Sequence, residues 1–453
     1  MKEVCSRREF IYLTIGFLFS LLHWTTCFVF FALLLFFLKQ KVIGCIKGLL
    51  IVTTRGILSS AVGANLSGLV GLEKWALIFI FSIYILNSQE LEKSDPQQFK
   101  IINSVQLLVW LFAFYSMIAS FLTGSYPITS IFKIISFVVP FTAILYGVSI
   151  TKKDVNWIQY CYVLLTPFIL ASVVIIPLPR FKIVNESFQG VVNHPNLYGI
   201  FGAIYVCFLL YSNFSTRGKG GLDWKRLVFL ALTLVTIYLS ESRTGMFSVI
   251  TILIIYYLTM NMDSKIKFTL GLVIVVVLVG AYFVANPEAY SEFMTILNDF
   301  IYKRDTDDIF ESRLNQIDMS NLKYNTHKLL GSGFGVPYVS GVQEFSLNMG
   351  LTYEAGNLLI SILGDTGTIG LVLFLMYMLY ILFITKPKKY ILFVAPTIIS
   401  FGEMAFFSTN NIAIYYYIML ATCVCIDEED VKIENQHNSA GIQRRRIPQT
   451  MRG

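Results

Sequence analysis

Apolar runs long enough to cross a bilayer recur along this chain from residue 10 to residue 426, separated by short polar connections. A hydrocarbon core takes roughly 20 helical residues to cross. On that measure the pattern predicts twelve spans, near 10–38, 73–88, 101–122, 131–150, 157–178, 196–212, 226–240, 246–260, 268–285, 354–384, 390–408 and 410–426. Pro96, Pro127, Pro287 and Pro387 fall in connections, where a missing donor does least harm. The expected architecture is therefore an all-α polytopic membrane domain over residues 1–426, closed by helices in 354–426. The tail 427–453 is polar, lacks apolar periodicity and is expected to be disordered.

One stretch interrupts the rhythm. Residues 286–353 form a long polar segment between two hydrophobic blocks, and loops of that length are commonly functional. Asp308 and Glu311 read as N-cap and N3 of a capping box opening a helix that runs to about Lys328. Gly331, Gly333 and Gly335 stop it, and Pro337 keeps it stopped. Upstream, residues 287–300 suit a short amphipathic helix with Phe293, Ile296, Leu297 and Phe300 on the bilayer surface.

With 55% hydrophobic and 14% charged residues, an ordinary soluble domain is excluded. The net charge of +7 comes mostly from Lys and Arg beside the spans, which fits topogenic signals rather than nucleic-acid binding. Cys5, Cys27, Cys45, Cys161, Cys207, Cys423 and Cys425 show no C-x-x-C or Cys/His spacing, so neither a disulfide scaffold nor a zinc site is expected. Lys2, Arg7 and Arg8 precede an apolar run that no small-residue cleavage site closes, which suits a retained signal-anchor helix.

Placing the N-terminus inside puts 21 Lys and Arg on inner segments and, after residue 75, 8 on outer ones. That is the asymmetry expected of a cytoplasmic face, with both termini inside and the long loop outside. Residues 39–72 resist, since they fall outside yet carry Lys39, Lys41, Lys47 and Arg55. Either they form an interfacial or re-entrant segment, or residues 10–38 and 42–62 divide differently into helices. An even number of extra crossings would leave the downstream orientation intact.

This topology collects polar residues on the outer side: Asn193-His194-Pro195-Asn196, Arg243 in Ser240-Glu-Ser-Arg-Thr-Gly245, Arg313 and His327 in the loop, and Glu354-Ala-Gly-Asn357. Each residue has a plainer role available. Arg243 could snorkel or pair with Glu241, although a short connection pinches it where a fixed anion contact is suited. His194 could cap the helix after it, Arg313 could lie on a solvated face, and Glu354 could answer a helix dipole. His327 lies about 21 Å along a straight helix from Arg313 and reads as structural. Gly331, Gly333 and Gly335 could present N–H groups as an anion nest or form an ordinary turn. Asp365, in Gly364-Asp-Thr-Gly367, is an intramembrane acid with either a functional or a packing role.

These pieces, in this order, resemble the O-antigen ligase and polymerase family, which includes Wzy-type polymerases of capsule and exopolysaccharide. The resemblance rests on Gly190-Val-Val-Asn-His-Pro-Asn-Leu-Tyr-Gly199, Ser240–Gly245, Arg313 with His327-Lys-Leu-Leu-Gly-Ser-Gly-Phe-Gly335, Glu354-Ala-Gly-Asn-Leu-Leu and Gly364-Asp-Thr-Gly-Thr-Ile-Gly370. It implies a metal-independent membrane glycosyltransferase without cofactor, working outside the cytoplasmic membrane on a glycan carried by undecaprenyl diphosphate. Arg243 and Arg313 match the family arginines thought to engage the diphosphate. Where the family's ligases have a histidine as candidate base, this chain has Glu354, so Glu354 or His194 would deprotonate the acceptor. Asn193, Asn196, Asn357 and Asp365 would support the site.

The acceptor would be another lipid-linked repeat unit in a polymerase and a lipopolysaccharide core in a ligase. The Ile, Phe, Lys and Asn richness and the glutamate at 354 favour the polymerase. A flippase for the same lipid, or a non-catalytic partner of a polysaccharide complex, is the rival class; a transporter would show repeated halves and midplane charges, which are not evident. Membrane lipids, a flippase and chain-length regulators are the expected partners, with no nucleic acid. On this reading the loop supplies closure, and the helix ends supply the site.

Overall fold

The computed structural model describes residues 7–64, 66, 68–88, 95–178, 187–217, 223–260, 311–340, 345–348, 351, 356–409 and 411–426, with scattered positions between 262 and 295. Among them the regular structure is helical, with one isolated antiparallel bridge, Leu58 to Val192. Seven helical stretches are long and apolar enough to cross a membrane. This is the architecture of a polytopic membrane protein.

The expected first span, 10–38, is instead two helices, α1 (Arg7–Phe19) and α2 (Trp24–Leu34), and a third, α3 (Lys41–Gly56), follows it. His23 caps α2, its ring accepting from Thr25 N. A 3-10 turn, Leu35–Gln40, follows α2, and the chain reverses at Lys41, whose φ is +54°. Gly44 makes the reversal feasible, because a Cβ there would overlap the Phe37 carbonyl. The running order is fixed by contacts at both ends. Val42 and Ile46 pack with Ile85 against Gly147 at one end, while Arg55 donates to Ser20 Oγ (3.2 Å) and Ala64 O (2.6 Å) at the other. Two extra helices thus enter before residue 69. Lys39 and Lys41 come to the end that also carries Lys152 and Lys389, while Arg55 stays at the other end.

The following elements match expectation more closely: α4 (Leu69–Leu86), α5 (Pro96–Thr123), α6 (Pro127–Thr151), α7 (Trp157–Val174), α8 (Pro195–Arg217), α9 (Trp224–Leu239) and α10 (Arg243–Thr259). Pro96 and Pro127 are first helical residues, where the missing N–H has no intrahelical acceptor in any case. Pro140, Pro167 and Pro396 lie inside helices. The loop helix, α11, runs Glu311–Thr326. The proposed cap Asp308, most of 268–285 and 287–300, including Phe293, Ile296, Leu297 and Phe300, and the tail 427–453 lie outside the described residues.

Three helices complete the bundle: α12 (Leu358–Ile384), α13 (Tyr390–Gly402) and α14 (Ala413–Val424). The expected span 390–408 ends at Gly402, and residues 403–412 lead irregularly into α14. At about 18 Å, α14 is too short to cross a bilayer unaided. It has no need to, because every residue from Ala413 to Ala421 is buried by the helices around it, α6 and α13 foremost. Aromatic edge-to-face contacts hold this centre, among them Phe137–Phe407 (4.7 Å) and Phe141–Tyr417 (4.9 Å).

Candidate functional site

Three helix N-termini and one C-terminus meet at a single end of the bundle. The first N-terminus belongs to α8. His194 precedes Pro195, and its Nδ1 accepts the Asn196 N–H at 3.2 Å, while its carbonyl accepts from Tyr198 N. The capping role open to His194 is therefore realised. With Nδ1 occupied as an acceptor, the neutral ring carries its proton on Nε2 and presents a donor outward. Asn193, His194 and Asn196 are all exposed. Backbone bonds from Asn193 N to Ile57 O and Ser59 N to Val191 O tie this turn to the end of α3.

The second N-terminus is that of α10. Ser242 is its N-cap, accepting from Gly245 N, and Arg243 is its first helical residue, half-buried. Gly245 lets α10 touch α8, since a Cβ there would come within 2.6 Å of Gly199 Cα. The Ser-Arg-Thr-Gly motif is thus a cap, a cation, a packing residue and a close-approach glycine. A cation beside a helix N-terminus opposes the dipole, by about 0.3–1 kcal/mol. Arg243 therefore adds positive potential where the backbone already supplies it, an arrangement that favours a bound anion.

The third N-terminus, that of α12, is capped by Asn357, whose Oδ1 accepts from Leu359 N (3.0 Å) and Ile360 N (3.2 Å). Its Nδ2 donates to Phe401 O (3.0 Å), the last turn of α13. There the chain also presents Glu403, which accepts from Asn196 Nδ2 at 3.3 Å, and Gly402, packed against Thr244. Asn196, Arg243, Asn357 and Glu403 thus belong to one cluster. Near Glu403 in the sequence or the fold, the buried atoms Ser400 Oγ, Asn411 Oδ1 and Tyr416 OH have no hydrogen-bond partner among the described residues.

Sequence reasoning missed Glu403 because it sat inside an expected span. The signal was present, as a lone carboxylate in an apolar run is a functional candidate by default. Glu354 lies outside the described residues. Arg313 lies in the first turn of α11. Further along, α11 meets α12: Gln316 closes against Gly356, Ser320 O against Gly364, and Lys323 reaches Asp365.

Asp365 belongs to a different constellation. It is fully buried and ion-paired with Lys323, which donates also to Gly333 O (2.8 Å) and Val336 O (2.7 Å). Burial pushes the Lys323 ammonium below its usual range, with the Asp365 carboxylate opposing. Asp365 Oδ2 accepts from Gly335 N (2.8 Å) and Ser361 Oγ (3.3 Å). The Asp365 carboxylate thus ties α12 to the end of α11 and to the glycine turn.

The anion-nest reading of the glycines fails by donor accounting. Gly331 N donates to His327 O, Ser332 N to Gly364 O, Gly333 N to Asp365 O, Phe334 N to Ser120 Oγ and Gly335 N to Asp365 Oδ2. None of these five amides is left for a ligand. The three glycines have φ of +73°, +107° and +64°, the region that favours glycine. α12 breaks opposite them at Gly367 (φ +68°, ψ −170°), which frees the Gly364 and Asp365 carbonyls to accept. His327 is structural too, its Nδ1 lying 3.4 Å from Ser332 Oγ.

Residues 228–375 match the family model described as O-antigen ligase, Wzy_C. The match covers α10, α11, the glycine clamp and the first part of α12. No curated protein matches the chain.

Proposed function

We propose that this protein is a membrane glycosyltransferase of the O-antigen ligase and polymerase type, polymerising undecaprenyl-diphosphate-linked repeat units into a surface polysaccharide on the outer face of the cytoplasmic membrane. The observation that carries this is the convergence of three helix N-termini around Arg243, Asn357 and Glu403, within and beside the region matching the O-antigen ligase model. Such a site suits a diphosphate, whose charge it can balance with fixed dipoles and arginines. The inner placement of Lys39 and Lys41 supports the orientation, because it strengthens the excess of basic residues at the opposite end.

In the reaction, an acceptor hydroxyl of one lipid-linked unit loses its proton to a carboxylate base. Its oxygen bonds to the anomeric carbon of the growing chain, and the bond from that carbon to the diphosphate breaks. Undecaprenyl diphosphate leaves with the electron pair, toward Arg243 and Arg313. Glu354 is the first candidate for the base and Glu403 the second, while His194, with Nδ1 engaged, serves as a donor to the substrate. Asn193, Asn196 and Asn357 orient substrate and carboxylate. The polymerase reading, rather than ligase, is supported by Glu354 at the position where the family's ligases carry histidine.

The test is incubation of the purified protein with lipid-linked repeat units, followed by separation of products by length. A ladder is expected. Units recovered unchanged, or only moved across a vesicle membrane, would overturn the enzymatic reading. Charge reversal at Arg243 or Arg313 should abolish the ladder in correctly inserted protein, and full-length ladders from both variants would refute the arginine roles.

A further inference from the structure

The opposite end of the bundle holds a cavity of about 320 Å³ between α6, α7, α8, α13 and α14. Lys152, Lys153 and Lys389 line it, together with Asn156, Trp157 and Thr422; Val148, Val155, Ile158 and Ile426 add apolar wall. Lys389 is 3% exposed, and its Nζ donates to Cys425 O at 2.7 Å. Lys152 is half-buried and held by Asp95 Oδ2 (3.1 Å) and Gln98 Oε1 (2.9 Å), which fixes its ammonium at the rim. Lys153 is exposed beside it. The Lys386-Pro-Lys388-Lys389 turn brings two further basic residues to the same end. Asp95 is already paired with Lys152, and Asp154, the other acid beside this connection, is exposed.

Two lysines held by hydrogen bonds and a third at the mouth make a pocket of one charge sign, and α7 opens into it at Trp157 behind its Asn156 cap. The apolar residues beside the lysines extend the pocket along the bundle wall. Basic pockets between transmembrane helices suit anionic lipid headgroups, and the volume is that of a small-molecule site. We propose that this cavity binds a phosphate-bearing anion, supplied in the membrane by the headgroup of an anionic glycerophospholipid. It lies far from the cluster around Arg243, so it is a structural or regulatory lipid site rather than part of the transfer chemistry. The polar floor holds the phosphate, and the apolar wall accepts the start of the acyl chains.

The test is native mass spectrometry of the full chain in detergent, titrated with phosphatidylglycerol, phosphatidylcholine or inorganic phosphate. Parent protein should retain phosphatidylglycerol over phosphatidylcholine. The K152Q/K153Q double variant, confined to the rim, should lose about tenfold in apparent affinity, and K152R/K153R should restore it. Equal retention of the two lipids would overturn the proposal, as would unchanged retention in K152Q/K153Q. Displacement of phosphatidylglycerol by millimolar inorganic phosphate would show a free-anion site and sink the lipid assignment. Thermal melting of each variant separates loss of binding from loss of fold, and K153E, at an exposed position, provides an independent weakening that leaves the Asp95 pairing intact.

Discussion

Replacing Lys323 by Met tests whether the Lys323–Asp365 pair holds the loop against the bundle. The methionine keeps most of the side-chain volume but removes the donor to Asp365, Gly333 O and Val336 O. Breaking a buried ion pair by deleting one partner costs about 3–5 kcal/mol. Each orphaned carbonyl adds roughly 1–3 kcal/mol unless it relaxes toward water. Both partners are fully buried, so about 5 kcal/mol or more is the working figure for K323M. The double variant K323M/D365L removes the stranded carboxylate but also the acceptor of Gly335 N and Ser361 Oγ, so it should recover only about 1–2 kcal/mol of that loss. The assay is thermal denaturation of purified protein in detergent, with the product ladder measured in parallel. K323M should melt several degrees early and give a weak ladder; the double variant should regain part of both. If K323M melts with the parent, the clamp does not bear on stability. If the double variant regains stability but makes no product, Asp365 has a chemical role and the packing account is wrong.

Three further outcomes follow from the geometry. G367A places a Cβ at φ +68° against the Leu329 carbonyl and should cost about 1–3 kcal/mol from backbone strain alone, read as an earlier melt. G199A forces a methyl into Ser242, pushing the starts of α8 and α10 apart; overpacking of about 1–3 kcal/mol should accompany a loss of product larger than that of a conservative change elsewhere on α8, measured as initial rate. Asp95 titrates below its usual range: burial, which alone would raise it, is outweighed by the Gln98 N–H and the Lys152 ammonium. Its contribution is therefore complete above the unfolded carboxylate pKa of about 3.9 and fades as pH falls through the lower folded value. D95N, which still caps α5, should flatten the acid limb of a melting-temperature profile.

The spans were legible wherever a polar connection or proline marked their ends, as at Asp95-Pro96 and Tyr126-Pro127. They were not legible in residues 7–56, where three helices of 11 to 16 residues follow one another with little polar punctuation. Buried among neighbours, such helices can be shorter than a bilayer requires, so apolar length alone merges them. Asn196, Arg243 and Asn357 could be placed at one end because each flanks a helix start. Glu403 could not, since nothing in Ile399-Ser-Phe-Gly-Glu403 announces that α13 stops there. Lys323 carries no signal in the sequence that sets it apart. Its meaning appears only beside Gln316 and Ser320, which recur with it at three- and four-residue spacing and meet Gly356 and Gly364.

That docking has a mechanical consequence. α11 lies along α12 through Gln316 at Gly356, Ser320 at Gly364 and Lys323 at Asp365, and α12 bends immediately afterwards at Gly367. α11 and the first ten residues of α12 thus pack along one another up to the Gly367 break. A shift of α11 would strain the start of α12, and with it the Asn357 bond to Phe401 O that joins α12 to α13.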